Sequence, residues 1–470
     1  MESKNIPLNL IEKSDEEFFD AVESFESSSE KAFKTFNTPT LKDFSPILKL
    51  FSSESGFTVN DFQSDNPLNT STISKQIINN RNTRTWNRKE KLKKKNKEFY
   101  EFSNLQLVQE LEISQKGNCI INFSPDGRFI SVAGDNPMII LYEICRQKFP
   151  DEQFLLYDEP FEIYTGHTYT VTDLCWSANS LYFLSSALDG MVYKWSIAQK
   201  TPQTLYKHNL EVICISIHPQ SQDLFFTGCK DNRVRIWNMN ISRIDCDIVL
   251  ESEITTGTFS PNGLLIIGLT IGICNILTYN CFSKTLQVVY RVDCRNKHGP
   301  KSSGRKITGI DFVDDNLFLV SSNDSRIRLF TTENFEIKQK YKGLKNENSK
   351  IVATYGKNSG HVISGSENGN VYIWNLFSKY VPKFNPIFTK KKRYKNSSYE
   401  FFSIENHKMH SYARLAPEKI VIEVQKRYAA AKQNWLVNNI IIVSIRGSLL
   451  VFYNKEAIKS RSNNQSKSFA

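Results

Sequence analysis

The chain has 470 residues, of which 40% are hydrophobic, with a formal net charge of +11 and a pI of about 9.0. No apolar run reaches the roughly 20 residues of a membrane span, and the acidic N-terminus does not have the basic-then-apolar pattern of a signal peptide. The nine cysteines include no CxxC pair, so we expect a soluble cytoplasmic protein with reduced thiols. The positive net charge indicates an anionic partner, either nucleic acid or a membrane.

Residues 1–80 are rich in Ser, Asn, Asp, Glu and Thr and show no lasting hydrophobic period. Because this composition buries too little apolar surface to offset the entropy of ordering, we predict a disordered tail. An acidic tract within it matches the core of the FFAT motif (two phenylalanines in an acidic tract). The matching residues are Glu17, Phe18, Phe19, Asp20, Ala21 and Glu23.

FFAT peptides are bound in extended form by the major-sperm-protein domain of the VAP receptors of the endoplasmic reticulum (ER). The residue types suit such a contact, since Phe18 can fill an apolar pocket while Asp20 and Glu23 meet basic side chains. The small Ala21 permits close approach, and the acids upstream steer the peptide toward a positive face. The motif therefore predicts the ER VAP receptor as a partner.

Residues 81–103 form a basic linker. Between positions 81 and 97 it carries nine Lys or Arg residues against one Glu, with Lys93, Lys94 and Lys95 at its densest point. Such a run is either a solvated linker or an arm that contacts an anionic membrane surface or a protein partner. Next, alternating apolar residues at 104–113 predict a strand. In a ring of blades this strand would complete the last blade and remove an exposed edge.

The stretch 166–239 contains one pattern twice. Each copy has a His, then a Ser or Thr four residues before an Asp, and a Trp six residues after that Asp. We expect the carboxylate to meet the His, the His to meet the hydroxyl, and the hydroxyl to meet the indole, which pairs each buried polar group. This register resembles that of the WD repeat, whose unit is a four-stranded propeller blade of about 40–45 residues. The eight predicted positions are His167, Ser185, Asp189, Trp195, His208, Thr227, Asp231 and Trp237.

Weaker copies of the pattern surround these two. The first blade has Asn136 and Tyr142 in place of Asp and Trp, and the fourth has Ile271 and Leu277. Fifth and sixth blades follow at 307–330 and 364–374, and the stretch 378–435 reads as irregular and basic. The last strand pair is predicted at 440–443 and 449–452.

The sequence thus predicts an all-β fold, a seven-bladed WD-repeat β-propeller over 104–456, with disordered tails at 1–80 and 457–470. Six blades or a split arrangement are the alternatives.

The sequence contains no phosphate loop, nucleophile elbow or metal-spaced Cys/His cluster. His407 and His410 are spaced like metal ligands, but no third ligand is near in sequence, and a surface loop is the favoured interpretation. We therefore predict a binding scaffold without catalytic residues, metal or cofactor.

Several strings in the later blades resemble the WD repeat-containing protein 44 family, whose members are Rab-binding propellers of recycling endosomes. These strings are 304–310, 322–329, 341–343 and 362–367. The resemblance implies an FFAT-like contact with VAP, a Rab GTPase of the recycling pathway bound ahead of the propeller, and a location at ER and endosomal membranes. The family's proline-rich stretch for an SH3 partner has no counterpart here. A Rab-binding stretch would have to lie within about 60–103, where no match is evident.

An enzyme with a propeller active site would need convergent acids or metal ligands at the channel mouth, and none is evident in the sequence. Two other functional classes compete. One is a trafficking adaptor, and the other is a scaffold of a ribonucleoprotein or chromatin complex, which the net charge and the basic runs at 81–97 and 390–393 support. A nuclear scaffold has no use for an FFAT core, so we do not predict nucleic acid as the partner.

Overall fold

The computed structural model describes residues 101–113, 117, 119–145, 154–199, 201–296, 304–377, 395–396, 399–404, 410–430 and 435–457. Within these residues, 29 strands form seven sheets, which are the blades of a β-propeller. Six sheets have four strands, and the fifth blade carries one more. The predicted all-β, seven-bladed WD-repeat fold is confirmed.

The strands follow the chain around the ring. The first strand is β1 (Leu105–Glu112). Blade 1 contains β2 (Cys119–Phe123), β3 (Phe129–Gly134), β4 (Ile139–Glu143) and β5 (Glu162–Tyr164). Blade 2 contains β6 (Val171–Trp176), β7 (Tyr182–Ala187), β8 (Met191–Ser196) and β9 (Pro202–Lys207). Blade 3 contains β10 (Val212–Ile217), β11 (Leu224–Cys229), β12 (Arg233–Asn238) and β13 (Arg243–Val249).

The second half continues in the same order. Blade 4 contains β14 (Ile254–Phe259), β15 (Leu265–Leu269), β16 (Ile273–Asn280) and β17 (Thr285–Asp293). Blade 5 contains β18 (Ile307–Phe312), β19 (Leu317–Ser322), β20 (Arg326–Thr331) and β21 (Ile337–Tyr341), with β25 (Lys395–Asn396) added in parallel at its edge. Blade 6 contains β22 (Thr354–Gly356), β23 (His361–Ser364), β24 (Asn370–Asn375) and β26 (Glu400–Ser403). Blade 7 contains β27 (Ser411–Leu415), β28 (Trp435–Ile445), β29 (Ser448–Ala457) and β1.

The two faces of the ring are defined by the antiparallel order of the strands. Loops between the first and second strands of a blade, and between the third and fourth, lie on one side, which we name the lower face. Turns between second and third strands, and the loops between blades, lie on the upper face. The hydrophobic core lies between consecutive blades, so both sides of a middle strand such as β11 or β15 are buried.

The ring is closed by its N-terminal strand. β1 pairs antiparallel with β29, from Leu105 opposite Asn454 to Glu112 opposite Ser448, and forms the outer strand of blade 7. The predicted closure by 104–113 and the predicted last strand pair are both confirmed. Ahead of β1, the carboxylate of Glu400 accepts the backbone N–H groups of Glu101 and Phe102. This contact fixes the entry of the chain against blade 6.

The interpretation of 378–435 as irregular is wrong for the part that the structure describes. That stretch contains the strands β25, β26 and β27 and the helix α1 (Glu418–Ala430). The helix lies on the lower face, between β27 and β28. The helix buries Ile420, Val421, Val424 and Tyr428 against blades 7 and 1. These four positions follow the helical period, which the basic composition of the stretch obscured.

Candidate functional site

The relay predicted for blade 2 is assembled in the structure. Nδ1 of His167 lies 2.9 Å from Asp189, and its Nε2 lies 2.7 Å from the hydroxyl of Ser185. The indole of Trp195 donates to the same hydroxyl at 2.7 Å. The Asp189 carboxylate can only accept, so the ring proton lies on Nδ1, and Nε2 then accepts the hydroxyl hydrogen of Ser185. All four polar groups are therefore satisfied.

The relay also fixes the loop that enters blade 2. Asp189 accepts the backbone N–H groups of Thr168 and Met191 as well as the His167 proton. Burial alone would raise the pKa of Asp189, but these hydrogen bonds outweigh it and hold the pKa below its usual range. The loop between blades 1 and 2 and the turn between β7 and β8 are thus joined through the Asp189 carboxylate.

Blade 3 departs from the predicted relay at its acid. The His208 ring contacts the hydroxyl of Thr227 at 3.0 Å, and Trp237 donates to that hydroxyl at 3.0 Å. Asp231, however, pairs with the guanidinium of Arg235 instead of His208. Burial, with the nearby Arg235 charge, lowers the pKa of His208 to about 4, so this ring is neutral at physiological pH.

The cause of this difference is the side chain four residues after the turn carboxylate. Blade 2 has Tyr193 at that position, whereas blade 3 has Arg235 and blade 5 has Arg328. A guanidinium offers two parallel donors to a carboxylate, so the carboxylate pairs with the guanidinium in preference to a neutral imidazole. The spacing Asp-x-x-x-Arg was visible in the sequence, but the relay pattern alone did not reveal its effect.

In blade 5 the polar network is centred on an arginine and, among the described residues, contains no histidine. Arg328 is fully buried and donates to Asp324, to the hydroxyl of Ser322 at 2.7 Å and to the amide oxygen of Asn296 at 3.2 Å. Asn296 in turn donates to Asp324 at 2.8 Å. A buried ion pair of this kind holds its position through its hydrogen bonds.

We expect Arg328→Met to lower the free energy of unfolding by about 3–5 kcal/mol, because it leaves the Asp324 carboxylate buried without its cation. Chemical denaturation followed by tryptophan fluorescence measures this loss. The double variant Arg328→Met/Asp324→Leu also removes the unpaired carboxylate and should recover part of the lost free energy of unfolding. A double variant less stable than the single one would show that the carboxylate is not the source of the loss.

Side chains also join the innermost strand of one blade to the innermost strand of the next, or to the segment just before it, and these strands share no backbone ladder. Four such bonds to main-chain carbonyls are Asn122 to Leu174, Thr172 to Val212, Thr255 to Ile307 and Thr308 to Ile351, at 2.6–2.8 Å. They link blade 1 to 2, 2 to 3, 4 to 5 and 5 to 6. Short polar side chains on the inner strands thus connect neighbouring blades by single hydrogen bonds, where no backbone ladder is present.

These inner strands enclose an axial channel with a cavity of about 360 Å³. Two carboxylates and two cations line it, contributed by Asp173, Asp311, Lys350 and Arg414. Burial raises the pKa of both carboxyl groups, against the lowering effect of the nearby cations. Asp173 accepts the backbone N–H of Ile215, and Asp311 accepts the backbone N–H of Tyr355. Arg414 donates to the carbonyl of Ile121. These side chains bind the ring together, a role that the sequence analysis did not predict.

Lys350 crosses the upper mouth of the channel. It leaves the loop before blade 6 and donates to the carbonyls of Thr172 and Ile213 on the opposite side of the ring, both at 3.1 Å. The loop is held by Glu367, which accepts the three backbone N–H groups of residues 347–349. Burial alone would raise the pKa of Glu367, but these bonds lower it.

The other predicted residues do not join this site. The FFAT core (17–23), Lys93, Lys94, Lys95 and His407 lie outside the described residues. His410 is exposed on the upper side of β27, 3.0 Å from the hydroxyl of Ser349. In the described parts of the chain, no group of three His, Cys, Asp or Glu side chains could hold a metal ion. No helix there is long and apolar enough to cross a membrane.

Comparison with known proteins agrees with the fold. The family "WD domain, G-beta repeat" matches residues 158–196 and 199–238, which include the strands of blades 2 and 3 up to β12. The chain is 32% identical over 252 residues to WD repeat-containing protein 44 of Xenopus laevis, covering 53% of this chain and 26% of that protein. The predicted resemblance to that family is confirmed.

Two further relatives are more distant. An uncharacterized WD repeat-containing protein of Schizosaccharomyces pombe is 24% identical over 277 residues, which cover 54% of this chain and 47% of that protein. Jouberin of Rattus norvegicus is 27% identical over 285 residues, which cover 56% and 26%. The chain therefore spans between a quarter and a half of the length of these relatives.

Proposed function

We propose that this chain is a non-enzymatic scaffold of membrane trafficking that attaches to the ER through the VAP receptor. The observation that carries the proposal is the FFAT core at 17–23, complete at each core position and preceded by Asp15 and Glu16. Two findings support a scaffold role, namely the WD-repeat propeller and the similarity to WD repeat-containing protein 44. The proposed location is the cytoplasmic side of ER and endosomal membranes.

Further partners are proposed for the linker and the propeller. The family resemblance supports a Rab GTPase of the recycling pathway, bound through residues 81–103 or through the blades. The charge of the linker supports contact with an anionic membrane surface, with Lys93, Lys94 and Lys95 at its centre. The channel residues, by contrast, are engaged in holding blades together, so we place partner binding on the outer surfaces of the ring.

A peptide of residues 10–30 is expected to bind a VAP major-sperm-protein domain. Burial of one Phe side chain is worth roughly 1.5–3 kcal/mol, so Phe18→Ala should weaken binding about ten- to hundredfold. Isothermal titration of peptide and full chain measures this change. Binding that does not respond to Phe18→Ala would end the ER-tethering proposal.

Two matched variants refine this experiment. Phe19→Ala should cost less, provided that only the first ring enters a deep pocket. Neutralising Asp15 and Glu16 should slow association and lose its effect at high salt, as for exposed charges. Proximity labelling in cells then separates the two functional classes. Recovery of ER receptors supports the adaptor, and recovery of RNA-binding proteins supports the ribonucleoprotein scaffold.

A further inference from the structure

The lower face of the propeller presents apolar side chains at the tips of its loops. Phe282, between β16 and β17, is fully exposed. Leu181, between β6 and β7, is 66% exposed, and Ile241, between β12 and β13, is 54% exposed. Phe377, which follows β24, is 56% exposed. These residues come from four blades and project from the same side of the ring.

The loop of Phe282 is held in a fixed conformation. The side-chain oxygen of Asn280 accepts the N–H groups of Phe282 at 2.9 Å and Ser283 at 3.2 Å. The loops of Phe282 and Ile241 each contain a non-glycine residue in the left-handed region, Lys284 at φ 48° and Ser242 at φ 50°. Such backbone conformations cost energy and persist only where the surroundings fix them.

The strand that follows the loop of Ile241 is joined to β16 and to the loop of Phe282. Asp245 in β13 accepts from the hydroxyl of Tyr279 and from the ammonium of Lys284, both at 3.0 Å. The Asp245 side chain is 5% exposed, whereas that of Lys284 is 55% exposed, so the junction lies at the protein surface. Phe282 and Ile241 therefore project from anchored loops of neighbouring blades, which keeps the entropic cost of binding low.

Both ends of the propeller lie at this face. β1 begins there and β29 ends there, because a fourth strand rises from the lower face and a third strand descends to it. The basic linker 81–103 leads into β1, and residues 458–470 after β29 carry three cations and no acid. The described lower surface itself carries charges of both signs, so the excess positive charge belongs to the two flanking segments.

We propose that the lower face docks on an anionic phospholipid membrane, with Phe282, Ile241 and Leu181 entering the headgroup region. Separate apolar tips at the ends of loops suit an interface that yields around them, and aromatic side chains favour this depth of a bilayer. Juxtamembrane cations add about 1 kcal/mol each near such a surface. The inference deepens the proposed trafficking function, and it leaves the upper face open to protein partners.

Sedimentation of the full chain with vesicles tests this proposal. One set of vesicles is pure phosphatidylcholine, and the other contains about one quarter phosphatidylserine. We expect binding to the anionic set only, reduced about tenfold by Phe282→Ser/Ile241→Ser. The matched control is Tyr169→Ser, which removes a 64% exposed aromatic ring from the upper face and should bind as the native chain does.

Three results would overturn the proposal. They are equal binding of the double variant, an equal loss with Tyr169→Ser, and, in a mixture that also contains RNA, binding of the RNA in place of the vesicles. Unchanged thermal unfolding of both variants shows that any loss is not due to misfolding, as expected for side chains that bury little. Titration of the VAP domain without vesicles tests the FFAT motif separately, so failure of one proposal does not decide the other.

Discussion

Deletion of residues 1–115 is expected to give a chain that aggregates or is rapidly digested, whereas deletion of 1–100 should leave a folded propeller. The longer deletion removes β1 and exposes the whole outer edge of β29, a ready template for pairing with other chains. It also removes Gln109, whose buried side chain bonds the backbone of Leu155 and Leu156 at 2.8–3.2 Å. Those backbone groups would be left without partners inside the protein.

Size-exclusion chromatography and limited proteolysis of the two deletions measure this difference. The shorter deletion keeps Phe102, which is 2% exposed and packs on His361 at 4.9 Å between ring centroids. It is therefore the matched control for loss of the tail without loss of the strand. Equal behaviour of the two proteins would mean that β1 is not needed for ring closure.

Trp195→Ala is the second change with a large expected effect. Trp195 is fully buried, contacts the rings of Tyr164, Phe183 and Tyr193, and bonds Ser185. Its truncation should lower the free energy of unfolding by about 3–5 kcal/mol, through lost burial and the cavity left behind. Because blades lean on their neighbours, denaturation should show one cooperative transition at lower denaturant.

Trp195→Phe is the matched variant for the hydrogen bond. It keeps an aromatic ring, as Phe330 does at the equivalent position of blade 5, and removes the indole N–H. Beyond the cavity left by the smaller ring, we expect a cost of about 1 kcal/mol for that bond. Unaltered stability of Trp195→Ala would contradict the relay of blade 2.

The sequence predicted those features that depend on local pattern. Alternation at 104–113 identified the closing strand, and the relay spacing identified blades 2 and 3, because both follow from periods along one chain segment. Competition for a partner does not follow from such periods. Asp231 had both His208 and Arg235 within reach, and only the geometry shows that it pairs with the arginine. Likewise, Trp374 of blade 6 donates to the carbonyl of Lys342 at 3.1 Å and not to a hydroxyl.

Long-range polar contacts could not be predicted at all. Lys350 had no signal in the sequence, since its acceptors are backbone carbonyls of Thr172 and Ile213, and every residue has a carbonyl. The helix α1 is a different case, because its apolar period was present but lay in a stretch judged by its composition.

Closure of the ring by β1 has a consequence for the order of events during synthesis. The amide of Asn454 bonds the carbonyl of Glu101, 353 residues earlier in the chain. At about 5–20 residues per second, a ribosome needs roughly 20–70 s to travel between them. For that time the nascent chain holds its first strand without the edge that it pairs with. The last blade can therefore form only after β29 has been synthesised, and until then the edge of the open ring is accessible to chaperones.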